Sequence, residues 1–459
     1  MGGRHERRSL EDRMREGRRY IERGGGERPH RMLVISWDAV GSEDLAFLET
    51  LPHFKHFAER AAGCREVESV CPSLTYPAHV SIITGKLPLH HGVVGNYRLQ
   101  PGRPDPDWFW QRRFIRGTTL YDEARKAGLR TAALLWPVTG GARIAYNLPE
   151  VWANRPWEHQ LTVSLGNGTP WYEMDLFRRF GHMIDGIRQP MLDDFVQASL
   201  LHTLRSYDPD LTLVHLTDVD TNRHEHGVRS REAQEALRRQ DGRLGQVLEA
   251  VGELGGEDAY DIILLGDHYQ KDVDHVLYPN YHIVQKGWAE RRREGLRSWR
   301  VAAQSCDGAC YIYVKDRKDQ ELMLQVAQWL REWMRTPGSG VRAVYTRRQA
   351  RDKGADPRCA FMLEAEDGYY FKNGCIKPME AVQENAWLHR GAHGYDPKSP
   401  GYRTFFLAAG PDFRPGVRVE EMDLTDEGPT LARVLGLELE DADGAVIDEL
   451  LQDPRPRSR

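Results

Sequence analysis

Three hydrophobic, strand-like runs of the sequence end in aspartate. Asp38 follows "LVISW", Asp218 and Asp220 follow "LTLVHLT", and Asp267 follows "IILLG". In an open sheet of parallel strands, ligands bind beyond the carboxyl ends of the strands, so we expect these carboxylates to meet at one edge. Crowded carboxylates repel one another, and a cation is therefore predicted among them.

Histidines accompany the same acids at spacings that suit metal binding. His224 comes four residues after Asp220, which places both side chains on one face of a helical turn, and His268 follows Asp267 directly. His393 lies in "HRGAHGYDP", where flanking glycines let the backbone bend sharply. A mixture of carboxylate and imidazole donors is typical of zinc or a similar transition ion, whereas calcium prefers oxygen alone.

The stretch "CPSLTYPAHVSIITG", residues 71–85, places a hydroxyl at a predicted helix start. Pro77 suits the first helical turn because its missing N–H is not needed there. Thr75 then lies where amide groups and the helix dipole favour negative charge, either as a helix cap or as a nucleophile. A cation on its oxygen would favour the alkoxide, and the acids and histidines supply ligands for such a cation.

Each of these signals also has an ordinary structural interpretation. A single loop histidine is usually hydrogen-bonded without a metal, and an aspartate after a strand usually caps the next helix. The whole combination with a hydroxyl at a helix start is rare by chance. We therefore interpret the set as an active site.

The elements that must position these residues follow the pattern of an α/β protein. Short β-branched and aliphatic runs alternate with helical periodicity, as in a mostly parallel sheet covered on both faces. The runs that matter most are 32–38, 131–137, 211–220 and 260–268. We predict a three-layer αβα fold.

Two segments break this rhythm and are predicted to be insertions into one catalytic domain, residues 32–451. Residues 97–205 are rich in aromatic side chains, and residues 270–390 are irregular and charged, as in a cap. The basic residues 1–31 and the residues 452–459 are predicted to be tails.

The composition excludes several classes of function. The 459 residues are 40% hydrophobic and carry a formal net charge of -5 with mixed signs, which favours a small substrate over nucleic acid. No apolar run approaches the roughly 20 residues of a membrane span. Six cysteines without an export signal predict reduced thiols, and we expect a cytoplasmic protein that acts on a small phosphorylated substrate.

The order of these motifs resembles the alkaline phosphatase superfamily, and within it the nucleotide pyrophosphatase/phosphodiesterase branch. The resemblance spans about residues 32 to 450 and rests on Asp38, "PSLTYPAHVSIITGKLPLHHGVVGN", Asp220, His224, Asp267, His268 and "GAHGYD". It implies an alkaline phosphatase-like fold with cap insertions. It also implies two divalent metal ions, either zinc or manganese.

The resemblance implies a role for each of these residues. Thr75 would be the covalent nucleophile. One metal would be held by Asp38, Thr75, Asp267 and His268, and the other by Asp220, His224 and His393. Asn96 would donate a hydrogen bond to the phosphoryl oxygens. Tyr76 stands where the family has an aromatic that often packs on a nucleobase, and a place in the core is the alternative.

Departures from the family pattern leave alternatives open. The residues that precede Asp220 and His224 differ from those of the family, so Asp218 and His226 are alternative ligands. Only Asp220 keeps the four-residue spacing to His224. Tyr269 replaces the family's glycine after Asp-His, which predicts a different adjoining loop.

The implied activity is hydrolysis of phosphodiester or pyrophosphate bonds in nucleotide-type substrates through a phospho-threonine intermediate. A phosphomonoesterase or phosphonate hydrolase of the same superfamily is the alternative, and a silent relative that binds phosphorylated ligands is another. The aromatic segment could stack on a base or belong to the core; its tryptophans include Trp108, Trp110, Trp136, Trp152 and Trp157.

Overall fold

A computed structural model describes residues 31–103, 106–256 and 258–452. The predicted N-terminal tail, apart from Arg31, and the predicted C-terminal tail, apart from Gln452, lie outside the described residues.

Nineteen strands are present in the described residues. They are β1 Arg31–Trp37, β2 Ala62–Glu68, β3 Thr131–Leu134, β4 Tyr146–Leu148, β5 Leu211–Leu216, β6 Tyr260–Leu265, β7 Lys271–Leu277, β8 Ala289–Arg292, β9 Gly295–Trp299, β10 Val301–Cys306, β11 Ala309–Val314, β12 Val341–Thr346, β13 Phe361–Ala365, β14 Gly368–Phe371, β15 Met379–Ala381, β16 Gly391–Ala392, β17 Thr404–Ala409, β18 Arg418–Val419 and β19 Met422–Asp423.

The α-helices of the described residues vary from one turn to more than six. They are Ser42–Leu48, Pro52–Arg60, Thr75–Thr84, Pro88–His91, Leu120–Lys126, Gln160–Asn167, Pro170–Phe180, Met191–Tyr207, Asp218–His226, Arg231–Glu253, Pro279–Gln285, Gln320–Arg335, Arg347–Asp352 and Leu424–Val434.

The main sheet has nine strands in the order β18-β2-β17-β6-β1-β5-β3-β4, with β19 also paired to β2. β17 runs antiparallel to both of its neighbours, and the other pairings are parallel. β1, β5 and β6 are adjacent, so their carboxyl ends lie at the same edge of the sheet. Their register pairs Ser36 with both His215 and Leu265.

Side chains of β1 alternate between two hydrophobic layers. Met32 and Val34 pack on the face covered by the helices Thr75–Thr84 and Leu424–Val434. Leu33, Ile35 and Trp37 pack on the face covered by Met191–Tyr207 and Arg231–Glu253. Burial on both faces explains why this strand is apolar from Met32 to Ile35. The predicted three-layer fold is confirmed.

Each of the four predicted strand runs contains a strand, and each strand ends before its run does. β3 ends at Leu134, before the proline of the 131–137 run. β5 ends at Leu216, and a helix begins at Asp218 within the same 211–220 run. This early change from strand to helix places the Asp-x-x-x-His pair on a helical turn.

Most of the chain between β6 and β17 forms smaller sheets with a hydrophobic core of their own. β10-β11-β13-β12 form one sheet, β14-β7-β15 with β16 form another, and β8 pairs with β9. Their shared core includes Val276, Ile312 and Leu363. We refer to β7–β15 as the cap sheets.

The division of the chain into a domain with two insertions stays a prediction. β3 and β4 of the main sheet lie within the aromatic segment 97–205. All six cysteines are buried free thiols. Over the described ranges, no helix is both long and apolar enough to cross a membrane.

Candidate active site

Thr75 is the first residue of the helix Thr75–Thr84, whose ten residues are all buried. Leu74, which has no capping side chain, occupies the N-cap position with extended backbone angles. The cap interpretation therefore does not describe Thr75. Instead, Thr75 Oγ1 lies 3.1 Å from His268 Nε2, at the carboxyl edge of the main sheet.

Four predicted residues converge around His268 Nε2, and we call them the first metal group. They are Asp38, Thr75, Asp267 and His268. The nitrogen is 3.4 Å from Asp38 Oδ1 and 3.3 Å from Asp267 Oδ2. Two carboxylate oxygens, the Thr75 hydroxyl and the His268 nitrogen therefore surround one point, which is suited to a cation.

Surrounding polar groups hold the carboxylates of this group in place. The backbone N–H of Ala39 donates to Asp267 Oδ1 at 3.1 Å, and Ala39 has a positive φ of 61°. His215 Nε2 lies 3.1 Å from Asp38 Oδ2, and its Nδ1 lies 3.5 Å from Glu150 Oε2. One oxygen of each aspartate is thereby fixed, and the other lies within 3.4 Å of His268 Nε2.

The titration of this group reflects burial and crowding. Burial, followed by the charge of Asp220, raises the pKa of Asp38 to about 7. Burial and then the charge of Asp38 raise the pKa of Asp267. Burial and then His393 lower the pKa of His268, which favours the neutral imidazole that ligates metals.

Asp220, His224 and His393 form a second cluster, which we call the second triad. His224 Nε2 is 3.3 Å from Asp220 Oδ1, and His393 Nε2 is 4.0 Å from the same oxygen. His224 Nδ1 donates to the carbonyl oxygen of Gly391 at 2.7 Å. That hydrogen bond leaves Nε2 as the free ligand atom of His224.

The ionisation of the second triad depends on burial and on the charges of neighbouring side chains. Burial opposes ionisation of Asp220, but His224, His393 and His268 outweigh it and lower the pKa of this carboxyl. Burial likewise opposes the charge of His224, but Asp220 raises its pKa to about 9. Burial lowers the pKa of His393.

The structure separates the alternative ligands Asp218 and His226 from both clusters. The carboxylate of Asp218 accepts hydrogen bonds from Arg239 at 2.7 and 2.8 Å and from Arg243 at 2.9 Å. The side chain of His226 is 42% exposed and contacts Glu225. Asp218 therefore anchors the helix that carries the second triad.

Asn96 and Tyr76 are connected through the start of the nucleophile-bearing helix. The N–H of Tyr76 donates to Asn96 Oδ1 at 3.0 Å, and Asn96 lines the cleft. This bond directs the Asn96 amide group. The side chain of Tyr76 is fully buried and packs edge-on against Trp108, with ring centroids 5.2 Å apart. Tyr76 therefore occupies a place in the core, which was the alternative to contact with a nucleobase.

A cleft of about 830 Å³ opens at this edge of the sheet. Thr75, Asn96 and the second triad line it. Its aromatic and apolar wall is formed by Tyr97, Trp108, Trp152, Ile187 and Trp387.

The tryptophans of the aromatic segment divide between the cleft and other places. Trp108 and Trp152 line the cleft, whereas Trp110 and Trp136 are buried in the core. Trp157 is 76% exposed and is not among the cleft-lining residues.

Two further residues at the cleft were missed in the sequence, Asp307 and His389. Both line the cleft, and Asp307 Oδ2 lies 3.7 Å from His393 Nε2. Asp307 stands in "SCDGAC", where Asp-Gly is the signal for a two-residue hairpin turn and not for a metal ligand. His389 comes four residues before His393, the same spacing that identified Asp220 and His224.

The donor set fits divalent cations. Asp38 Oδ1 and Asp267 Oδ2 are buried without a hydrogen-bond partner, which costs free energy unless a positive charge compensates them. Each cluster combines carboxylate and imidazole donors within 4.8 Å of one another. This combination is suited to zinc or manganese.

Comparisons with solved structures support the fold. The structure resembles that of murine ectonucleotide pyrophosphatase/phosphodiesterase 5, an inactive variant in complex with AMP. The TM-score is 0.65 at 19% identity, covering 93% of this chain and 100% of that one. The human protein 5 gives a TM-score of 0.65 and covers 92% of this chain and 100% of that one, also at 19% identity.

Sequence comparisons lead to the same group of proteins. Bis(5'-adenosyl)-triphosphatase enpp4 of Mus musculus is 24% identical over 434 residues, which cover 89% of this chain and 78% of the relative. Ectonucleotide pyrophosphatase/phosphodiesterase family member 7 of Rattus norvegicus is 20% identical over 456 residues, which cover 94% of this chain and 90% of the relative. The sequence model of type I phosphodiesterases/nucleotide pyrophosphatases matches residues 32–396. Since that match includes most of the chain, this protein belongs to the type I phosphodiesterase/nucleotide pyrophosphatase family, a branch of the alkaline phosphatase superfamily.

Proposed function

We propose that this protein uses two divalent cations to hydrolyse phosphodiester or pyrophosphate bonds in nucleotide-type substrates. Family membership supports hydrolysis of these bonds. The two-cation mechanism is proposed because Thr75 Oγ1, Asp38 and Asp267 converge on His268 Nε2. A hydroxyl held among cation ligands at a helix start is suited to nucleophilic attack.

The first metal group would hold one cation, and the second triad would hold the other. Zinc is the expected metal, and manganese also suits these donors. Bound cations would favour the ionised form of the Thr75 hydroxyl and neutralise charge on the reacting oxygens.

Thr75 carries the covalent step of the proposed reaction. Thr75 Oγ1 releases its proton to solvent and bonds to phosphorus while the bond from phosphorus to the leaving oxygen breaks. The leaving group departs with that electron pair and takes up a proton. A water molecule then loses a proton to solvent as its oxygen bonds to phosphorus, the bond from phosphorus to Oγ1 breaks, and Thr75 Oγ1 takes up a proton. Two inversions predict net retention at phosphorus.

Asn96 and the helix start hold the phosphoryl group. Because Asn96 Oδ1 accepts from the N–H of Tyr76, its amide nitrogen is left to donate to a phosphoryl oxygen. The N-terminus of the Thr75–Thr84 helix favours the same negative charge. Hydrogen-bond donors that are already in position before the reaction starts stabilise negative charge as it develops in the transition state.

The proposed substrate class draws on relatives and on the cleft. One relative is named a bis(5'-adenosyl)-triphosphatase, and one structural neighbour was solved with AMP. The cleft combines the phosphoryl-binding residues with an aromatic wall of Tyr97, Trp108 and Trp152. Both features support a phosphate that carries a flat aromatic group.

The test compares Thr75→Ala with Thr75→Ser on a diester, bis(4-nitrophenyl) phosphate, and a monoester, 4-nitrophenyl phosphate. We expect Thr75→Ala to lower turnover by about a thousandfold or more, while elemental analysis finds its bound cations largely unchanged. Thr75→Ser keeps the hydroxyl and should retain measurable turnover. Substantial turnover by Thr75→Ala would contradict the nucleophile, and faster hydrolysis of the monoester by the wild type would contradict the diesterase assignment.

A further inference from the structure

A third set of donors overlaps the second triad. His224, Asp307 and His389 place one ligand atom each within 4.8 Å of one another; we call them the outer triad. Each is half-buried and lines the cleft. His389 also has a buried Nδ1 without a hydrogen-bond partner. Two imidazoles and a carboxylate are the same donor types that the second triad offers.

The outer triad and the second triad cannot each hold a cation through His224 at the same time. His224 Nδ1 is occupied by its hydrogen bond to Gly391, so only Nε2 is free. One imidazole nitrogen ligates one cation at a time. A cation can therefore pass between the two triads while it keeps His224 as a common ligand.

Four imidazoles form a row from the cleft to the buried cluster. Ring centroids are 4.1 Å apart between His389 and His224, 5.0 Å between His224 and His393, and 4.2 Å between His393 and His268. Burial increases along the row: His389 and His224 are half-buried, His393 is 4% exposed and His268 is fully buried.

The increase in burial along the row affects the free energy of a divalent cation that moves inward. Moving a charge from water into a buried site without ligands is very unfavourable. Exchange of one ligand at a time along the row avoids that state. The Asp307 carboxylate lies beside the row, with an oxygen within 4.8 Å of ligand atoms of His224 and His389 and 3.7 Å from His393 Nε2. Because Asp307 also lines the cleft, it can draw a hydrated cation towards these histidines.

We propose that the outer triad is a loading position that receives a divalent cation from solvent and passes it through His224 to the second triad. This inference rests on the proposed two-cation function. It assigns Asp307 and His389 to the path of the cation and leaves the final ligands unchanged. The loading position affects how fast a cation arrives and leaves, because its own occupancy is transient.

The test measures zinc exchange in stopped flow with a chromophoric zinc indicator, using the full chain freed of metal by a chelator. The variants are Asp307→Asn and His389→Gln. Asp307 has a positive φ of 54° in a two-residue turn, and asparagine tolerates that conformation. His226→Gln is the matched control, because His226 lines the cleft but belongs to neither triad.

We expect each variant to slow zinc uptake by about tenfold, the factor that a rise of about 1.4 kcal/mol in the barrier produces. Zinc release should slow by the same factor, because the final ligands are intact and the dissociation constant is the ratio of the two rates. His226→Gln should exchange zinc like the wild type. Circular dichroism and unfolding midpoints check that each variant is folded.

Unchanged exchange rates in both variants would overturn the loading position. A loss of tightly bound zinc in either variant would also overturn it, because the residue would then be a ligand of a final site. The wild type tests the proposed function separately: binding of fewer than two zinc ions there contradicts the two-cation mechanism before any variant is considered.

Discussion

His91 ends the short helix Pro88–His91, which follows the Thr75–Thr84 helix in the sequence and precedes Asn96. Its ring is fully buried. The N–H of Val93 donates to His91 Nδ1 at 3.2 Å, so the ring proton is on Nε2, which lies 3.0 Å from Ser81 Oγ. This arrangement requires a neutral ring. Burial lowers the pKa of His91 to about 3.

Acid should therefore destabilise this part of the protein. A histidine whose pKa is lower when folded stabilises the fold above its unfolded pKa of about 6.5 and loses that contribution as pH falls towards 3. The slope for one such group is at most about 1.4 kcal/mol per pH unit. We expect His91→Gln, which retains a side-chain donor, to show a flatter fall in the free energy of unfolding between those pH values. Identical slopes for the variant and the wild type would contradict this role.

Trp387 is 89% exposed although it lines the cleft. We expect its ring to stack on an aromatic substituent of the substrate. Trp387→Ala should raise KM for bis(4-nitrophenyl) phosphate about fivefold, equivalent to about 1 kcal/mol, and leave KM for methyl 4-nitrophenyl phosphate less affected. Trp157→Ala removes a comparably exposed tryptophan away from the cleft and is the control. Equal changes in KM for both esters would contradict stacking.

At the scale of elements, the helix Asp218–His226 carries two of the three residues in the second triad. Its first residue, Asp218, is fully buried and is held by Arg239 and Arg243 of the long helix Arg231–Glu253. Position and charge at the start of the short helix are therefore set by a second helix outside the cleft.

Asp218→Asn should destabilise the protein by about 2 kcal/mol, because it weakens the charge-assisted hydrogen bonds from Arg239 and Arg243 to a buried carboxylate. Arg243 keeps its ion pairs with Asp193 and Asp194. Asp218→Asn should also weaken cation binding at the second triad. Denaturant unfolding and zinc titration measure the two effects. Arg231→Gln breaks an exposed ion pair with Glu235 on the same long helix and should leave both quantities unchanged. An unfolding curve for Asp218→Asn that matches the wild type would refute the anchoring role.

The sequence predicted the site best where a general rule of topology applies. Asp38, Asp220 and Asp267 follow parallel strands, and such strands bring their carboxyl ends together whatever the rest of the fold does. The burial of Tyr76 depends instead on packing against Trp108, which lies 32 residues further along the chain and outside any periodic pattern. Asp307 lies on a hairpin of the cap sheets, whose position against the main sheet depends on long-range packing that no local spacing encodes.

At the scale of the whole molecule, the candidate site joins the main sheet to the cap sheets. Asp38 and Asp267 follow β1 and β6 of the main sheet. His393 follows β16, which pairs with β7 of the cap sheets. Cations bound by these residues would replace carboxylate repulsion at the edge of the main sheet with attraction, and they would connect layers that have separate hydrophobic cores.

Removal of cations should therefore lower the stability of the entire chain. A cation that binds only the folded state adds about 4 kcal/mol when its free concentration is 1,000 times its dissociation constant. We expect a chelator to lower the thermal midpoint, and zinc or manganese to restore it. Asp267→Asn should reduce this response, since it removes a charged ligand whose buried Oδ2 has no hydrogen-bond partner. His226→Gln should respond like the wild type, because His226 belongs neither to the first metal group nor to the second triad. A thermal midpoint that does not change with chelator would contradict a structural link through bound cations.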